Sequence, residues 1–117
     1  MSVKNISADE LRNLIKTQRD KIEIIDVRQP EEAEIIRIKN SKLIPMNELQ
    51  SRLNEIDFNK QVIFVCRSGS RSGMITSILS QMRKDVTNLE HGIYECFADG
   101  KGENLEIDES MIDRYFN

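Results

Sequence analysis

The sequence predicts a parallel α/β sheet of about five strands covered by helices on both faces, and three observations carry that reading. Apolar, β-branched runs alternate along the chain with stretches of helical spacing, the pattern that builds parallel sheets from strand–helix units. Val62, Ile63, Phe64 and Val65 form an uninterrupted apolar run, as suits a strand buried on both faces. That run leads straight into Cys66 and the polar stretch Arg67-Ser68-Gly69-Ser70-Arg71, after which Met74, Ile75, Ile78, Leu79 and Met82 fall at helical spacing. A length of 117 residues puts all of this in one domain, residues 1–117.

Taken in order, residues 3–6 suit a short edge strand. Ser7-Ala8-Asp9-Glu10 is a capping box that opens a helix with Leu11, Leu14 and Ile15 as its apolar stripe. Residues 21–27 (KIEIIDV) form the next strand and end in Asp26 and Arg28. Pro30 then opens a short acidic helix through residue 35. A brief strand at 42–44 is stopped by Pro45, and residues 46–56 read as a helix carrying Leu49, Leu53 and Ile56 inward. The central strand begins at Gln61, and the helix after its loop runs to about Lys84. Val86–Leu89 reads as the last strand. A short helical turn through Cys96 and Phe97 and a glycine break at 100–102 follow. The acidic extension 103–117 ends in Met111, Ile112, Tyr115 and Phe116, spaced for a short helix that packs back on the body.

Charged residues make up 32% and hydrophobic ones 38%, the balance of an ordinary soluble globular chain. With a net charge of −3 and no basic stripe on any helix, no nucleic-acid partner is expected. No apolar run reaches membrane-spanning length, so no membrane partner is expected. The start, MSVKNISADE, lacks an apolar signal core, and a cytoplasmic location is expected. Two cysteines are too few for a disulfide scaffold. The single histidine, His91, joins no cluster at metal spacing, so neither a metal nor another cofactor is expected.

Cys66 therefore carries the chemistry. A cysteine at the carboxyl end of a central strand, facing the amino end of the next helix, lies where open α/β sheets place their ligands. Converging backbone N–H groups, the helix dipole and two flanking arginines all favour thiolate over thiol. The bland alternative is a buried strand-end cysteine beside a solvated turn. The C-x-x-G-x-R spacing on strand, loop and helix favours the reactive one.

The chain also resembles the rhodanese family of sulfurtransferases, which includes single-domain forms of about this length. Asp26-Val27-Arg28-Gln29-Pro30-Glu31-Glu32 resembles that family's DVR-x-P-E-E segment, and Ile44-Pro45 with Asn47, Glu48 and Leu49 its N-I-P-x-x-E-L stretch. Cys66-Arg67-Ser68-Gly69-Ser70-Arg71-Ser72 is similar to the catalytic C-R-S-G-x-R-S loop, the most specific of the four. Leu89-Glu90-His91-Gly92-Ile93-Tyr94 resembles the L-x-G-G tail motif. Four positions depart from the pattern. Arg37 stands at a usual His and Asn40 at a usual Gly, where Asn still tolerates a left-handed backbone. His91 replaces the first Gly of the tail pair, and Cys96 stands at a usual Trp.

The resemblance implies a sulfurtransferase. Cys66 accepts a sulfane sulfur as a persulfide from thiosulfate or another small anionic donor and passes it to cyanide, a thiol or a protein acceptor. Gly69 lets the loop curl around the sulfur, and Arg67 is expected at the mouth, meeting the donor anion. Arg71 is expected to anchor the loop by pairing with Asp26 or Glu32. Ser68, Ser70 and Ser72 have hydroxyls to offer the sulfur or the helix, with Ser70 as the candidate N-cap and Ser72 as structural. Asp26 is read as positioning the loop or an arginine, while Arg28 is open between a surface position and guidance of anions. Arg37 is read as solvated and His91 as a turn residue. Cys96 is read as core rather than as a partner that resolves the Cys66 persulfide.

A non-enzymatic sulfur-relay or docking module is the alternative function, separable by turnover with small molecules. A phosphatase or arsenate reductase needs a loop one residue longer than the four residues between Cys66 and Arg71. A monomer or weak dimer is expected.

Overall fold

The computed structural model describes residues 4–82, 84–99 and 102–116. Its centre is a five-stranded parallel sheet built from β1 (Asn5–Ile6), β2 (Ile22–Asp26), β4 (Lys42–Leu43), β5 (Gln61–Val65) and β6 (Val86–Leu89), ordered β1-β6-β5-β2-β4. The four longer helical segments that matter for packing are α1 (Ala8–Gln18), α2 (Pro30–Ile35), α3 (Ser70–Gln81) and α4 (Gly92–Ala98). The Ser7 capping box is formed, with Ser7 Oγ accepting from the Glu10 N–H and Glu10 Oε1 accepting from the Ser7 N–H, both at 3.1 Å. Gln29 caps α2 with Pro30 in its first turn.

Side-chain alternation along the strands divides the core into two layers. Ile22 and Ile24 of β2 and Ile63 and Val65 of β5 join α1 and α4 on one face. Ile25 and Val27, with Val62, Phe64 and Cys66, join Leu49, Ile56, Ile75 and Leu79 on the other. Cys66 thus keeps the parity of Phe64 and points toward α3. Strands added after β2 and after β5 go to opposite sides, so the topological switch point lies between those two strands, where Val65 pairs with Asp26.

Four expectations change. Val86–Leu89 is not the last strand. β7 (Leu105–Ile107) follows it and pairs antiparallel with β3 (Ile36–Ile38) in a separate two-stranded sheet. The sequences IRI and LEI each alternate apolar and charged residues, but over only three positions. Arg37 accordingly lies on a strand, half-exposed, with its Nε 2.8 Å from Glu106 Oε1. Residues 46–56 form two 3₁₀ segments, Met46–Glu48 and Gln50–Glu55, the second with a non-helical Arg52, rather than one α-helix. Local i to i+3 and i+4 bonds compete with the α pattern there, from Ser51 Oγ to the Glu48 carbonyl and from Arg52 to Glu48 and Glu55. α3 stops at Gln81, before Lys84.

Asn40 adopts φ +66°, the left-handed backbone expected of it. Within the expected edge strand, Val3 lies outside the described residues, as do Gly100 and Lys101 of the glycine break. The carboxyl-terminal helix α5 (Ile112–Phe116) packs on the body, with Phe116 stacked on Phe97 at 5.1 Å between ring centroids. These aromatics pack against the α1/α4 layer, in which Cys96 lies. No helix among the described residues is long and apolar enough to cross a membrane.

Candidate active site

Cys66 follows β5 at the switch point and is buried, 1% exposed. Its Sγ accepts from the Gly69 N–H at 3.1 Å and the Ser72 N–H at 3.4 Å, and Ser72 Oγ lies 3.3 Å away. No side chain caps α3. The N–H groups that an α-helix leaves unpaired in its first turn therefore serve the sulfur, and the helix dipole adds positive potential. Burial pushes the Cys66 thiol up. Hydrogen bonds from the Ser72 hydroxyl and from the Ser72, Gly69 and Ser68 N–H groups outweigh it and hold the thiol below its ordinary range.

The residue at the α3 N-cap is Gly69, with φ +95°, and not Ser70, which is the first residue of the helix. Only glycine fits that place. A Cβ on Gly69 would strike the Glu90 carbonyl, so the constraint comes from the neighbouring turn rather than from crowding of the sulfur. Ser70 Oγ instead lies 3.5 Å from Ser68 Oγ on the outside of the loop.

The tail motif supports the loop from behind. The Ile93 and Tyr94 N–H groups, in the first turn of α4, donate to the Cys66 and Arg67 carbonyls at 3.0 Å each. Gly92 has φ +64° and sits so close to those carbonyls that a Cβ would overlap them. His91 has φ −106°, a backbone open to any residue, so its substitution for glycine leaves the turn intact.

Arg71 pairs with Glu32, not Asp26, in a two-pronged ion pair with both N···O distances 3.0 Å. Burial alone would raise the Glu32 acid range. The Arg71 guanidinium, the Gln29 N–H and the Tyr115 hydroxyl together bring it down to about 2. Asp26 engages Arg28 instead, with Nη2 2.8 Å from Oδ2 and Nε 3.0 Å from Oδ1. Arg28 is fully buried, which overturns the surface position left open for it. Its remaining donors reach the Ile36 carbonyl at 2.5 Å and the Tyr115 hydroxyl at 3.1 Å, so every contact is internal and a solvent anion is out of reach.

Arg67 is also placed differently from expectation. Its Nη2 donates to the Tyr115 carbonyl at 3.1 Å, and its guanidinium lies over the Tyr115 and Phe116 rings at 5.4 and 5.7 Å. Stacking on two aromatic faces holds it against α5 rather than at the loop mouth. Ser72, read as structural, is in fact one of the groups around the sulfur.

Asn88 and Tyr115 escaped the sequence reading. Asn88 Oδ1 accepts from Ser72 Oγ at 2.5 Å, and the only clue was a polar residue inside the short buried strand VTNL. Tyr115 joins Arg28 to Glu32, with its hydroxyl 2.8 Å from Glu32 Oε1. Nothing in local spacing announced that link. Cys96 is buried in the layer across the sheet from Cys66, and burial pushes its thiol up to about 11. Among the described residues no cluster of His, Cys, Asp and Glu suits a metal ion.

Comparison with known proteins bears on the family and the fold. The Rhodanese-like domain family model matches residues 7–99. A sulfurtransferase from Allochromatium vinosum is 30% identical over 92 residues, covering 78% of this chain and 85% of that one. The thiosulfate:glutathione sulfurtransferase of Saccharomyces cerevisiae is 23% identical over 119 residues, covering 91% and 86%. The crystal structure of a rhodanese-like domain protein from Staphylococcus aureus superposes with a TM-score of 0.75 at 36% identity, covering 91% of this chain and 99% of that one. With its parallel sheet, its switch-point cysteine and a family match spanning most of its length, the chain belongs to the rhodanese-like domain family.

Proposed function

We propose that the protein is a sulfurtransferase that carries a sulfane sulfur on Cys66. The observation behind this reading is the buried Cys66 sulfur receiving the Gly69 and Ser72 N–H groups at the amino end of α3. That arrangement stabilises an anionic sulfur without a metal. In the first half-reaction the Cys66 thiolate attacks the outer sulfur of thiosulfate. The new S–S bond forms as the sulfur–sulfur bond of the donor breaks, and sulfite leaves with its electron pair. In the second, a nucleophile attacks the outer sulfur of the persulfide and Cys66 leaves as thiolate, so cyanide yields thiocyanate and a thiol yields a persulfide.

Four residues between Cys66 and Arg71 make a ring suited to one sulfur atom rather than to a tetrahedral oxyanion. The name of the yeast relative favours thiosulfate as donor and a small thiol as acceptor.

Intact mass after incubation with thiosulfate tests the proposal. The wild type gains one sulfur, the Cys66→Ala variant gains none, and cyanide removes the sulfur with formation of thiocyanate over many cycles. Uptake only from a protein persulfide would replace the enzyme by a sulfur relay, and no uptake from any donor would overturn both.

A further inference from the structure

The Ser72 hydroxyl has two claimants and one proton. Its oxygen lies 2.5 Å from Asn88 Oδ1 and 3.3 Å from Cys66 Sγ, and a hydroxyl donates only one hydrogen bond at a time. The Asn88 amide cannot relieve the conflict by turning over. Its Nδ2 donates to the Gly69 carbonyl at 3.3 Å and to Asn5 Oδ1 at 3.0 Å. A flipped amide would set its oxygen against the Gly69 carbonyl, acceptor on acceptor. Asn88 Oδ1 is therefore fixed as an acceptor aimed at Ser72. Cys66, Ser72 and Asn88, the three groups that share the proton, are buried, so water does not settle the competition.

We propose that Asn88 is a positioning residue that sets the ionisation of Cys66 by competing for the Ser72 proton. In the thiol state the Ser72 hydroxyl donates to Asn88 and offers the sulfur a lone pair, which accepts the S–H. When the thiol proton leaves to solvent, the hydroxyl turns to the thiolate and the Asn88 oxygen loses its donor. The Gly69 and Ser72 N–H groups face the sulfur in both states. Asn88 thus holds the nucleophile back, and loading the sulfur with negative charge releases the rotor.

Other charged groups around Cys66 are already engaged. Arg71 of α3 is paired with Glu32 of α2, and Arg67 of the loop is bonded to Tyr115 of α5. Asp26 and Arg28, beyond β2, are paired with each other. None of them contacts Ser72 Oγ or Asn88 Oδ1, so their fields are common to all the variants below.

The proposal deepens the sulfur-transfer reading, but its test needs no sulfur donor. The rate of Cys66 alkylation by iodoacetamide, followed by intact mass against pH, gives the thiol pKa in the wild type, Asn88→Ala, Ser72→Ala and the double variant. Asn88→Ala is expected to lower it by about half to one pKa unit, the range of one net hydrogen bond. Ser72→Ala is expected to raise it more in the Asn88→Ala background than in the wild type. An unchanged or raised value in Asn88→Ala, or equal Ser72→Ala effects in both backgrounds, would overturn the proposal.

Asn88→Leu, similar in shape, stands in if the alanine variant does not fold. A second measurement leaves Asn88 in place. The Asn88 side-chain carbonyl carbon, followed by NMR, should move upfield as Cys66 ionises in the wild type and lose that movement in Ser72→Ala, where the charge change persists without the rotor. The same movement in both proteins would also overturn the proposal. Sulfur uptake from thiosulfate by these variants tests the sulfurtransferase reading separately, and its failure would leave the titration result standing.

Discussion

Replacing Glu32 by Gln should reveal how much the anchor of α3 contributes to stability. Glu32 holds both terminal nitrogens of Arg71 at 3.0 Å, the Tyr115 hydroxyl at 2.8 Å and the Gln29 N–H at 2.9 Å. Its acid range falls from 4.5 in an unfolded chain to about 2 here. At 1.36 kcal/mol per tenfold change, that difference sets a ceiling of about 3 kcal/mol. The Arg71 side chain is 36% exposed and Glu32 18%, so screening by solvent reduces the expected cost of Glu32→Gln at pH 7 to about 1–2 kcal/mol. The folded value is depressed, so the stabilisation is complete above pH 4.5 and is lost as pH falls toward 2. Urea unfolding of both proteins between pH 7 and pH 3 is the assay. More than half of the deficit should be gone by pH 3, where the unfolded carboxylate is protonated and the folded one is not. A deficit that stays constant from pH 7 to pH 3 would refute the charge-based account and leave Glu32 a packing group.

Gly69→Ala should destabilise the fold by about 2–4 kcal/mol in urea unfolding, because a left-handed backbone and overlap with the Glu90 carbonyl act together. The Glu90 turn is itself tied to β1 through its N–H bond to the Ile6 carbonyl at 2.9 Å, so it cannot easily give way; a loss under 0.5 kcal/mol would contradict this. Cys96→Ala should leave sulfur uptake by Cys66 unchanged. In the wild type, iodoacetamide at neutral pH should add once, at Cys66, since hydrogen bonds hold that thiol below its ordinary range whereas the Cys96 thiol is pushed up to about 11. A Cys66–Cys96 disulfide found by peptide mapping of the native protein would refute that separation.

Where a signal lay within a few neighbouring residues, the sequence could be read. The unbroken run Val62 to Val65 identified the central strand, and its parity carried Cys66 to the α3 side. Ser7 with Glu10 marked the start of α1, and Asn40 was recognised as a left-handed position. What escaped depends on contacts between distant segments. β3 and β7 are three residues each and gain their bonds only by pairing across an interval of about seventy positions. Arg67 is expected at the loop mouth by the resemblance, but its partner is the Tyr115 carbonyl 48 residues away. The sequence leaves Arg28 open between a surface position and guidance of anions. Its burial required Asp26, Ile36 and Tyr115 to converge on one guanidinium.

Two helix amino ends share the work of the site, which explains why His91, in place of the family's glycine, leaves the backbone support of the loop intact. The first turn of α3 gives its N–H groups to the sulfur, and the first turn of α4 gives its own to the carbonyls of Cys66 and Arg67. Each set of donors belongs to the backbone, so the loop is held on both sides whatever side chains occupy positions 70 and 91. Glycine is required only where a backbone passes within contact of another, at Gly69 against Glu90 and at Gly92 against Cys66 and Arg67. Side-chain identity bears on the sulfur directly at Ser72 and Asn88, where one hydroxyl lies within reach of both the Asn88 amide and the Cys66 sulfur. Substitutions around the loop should therefore change its packing and its partners before they change the chemistry of the sulfur, whereas substitutions at those two positions should change the chemistry first.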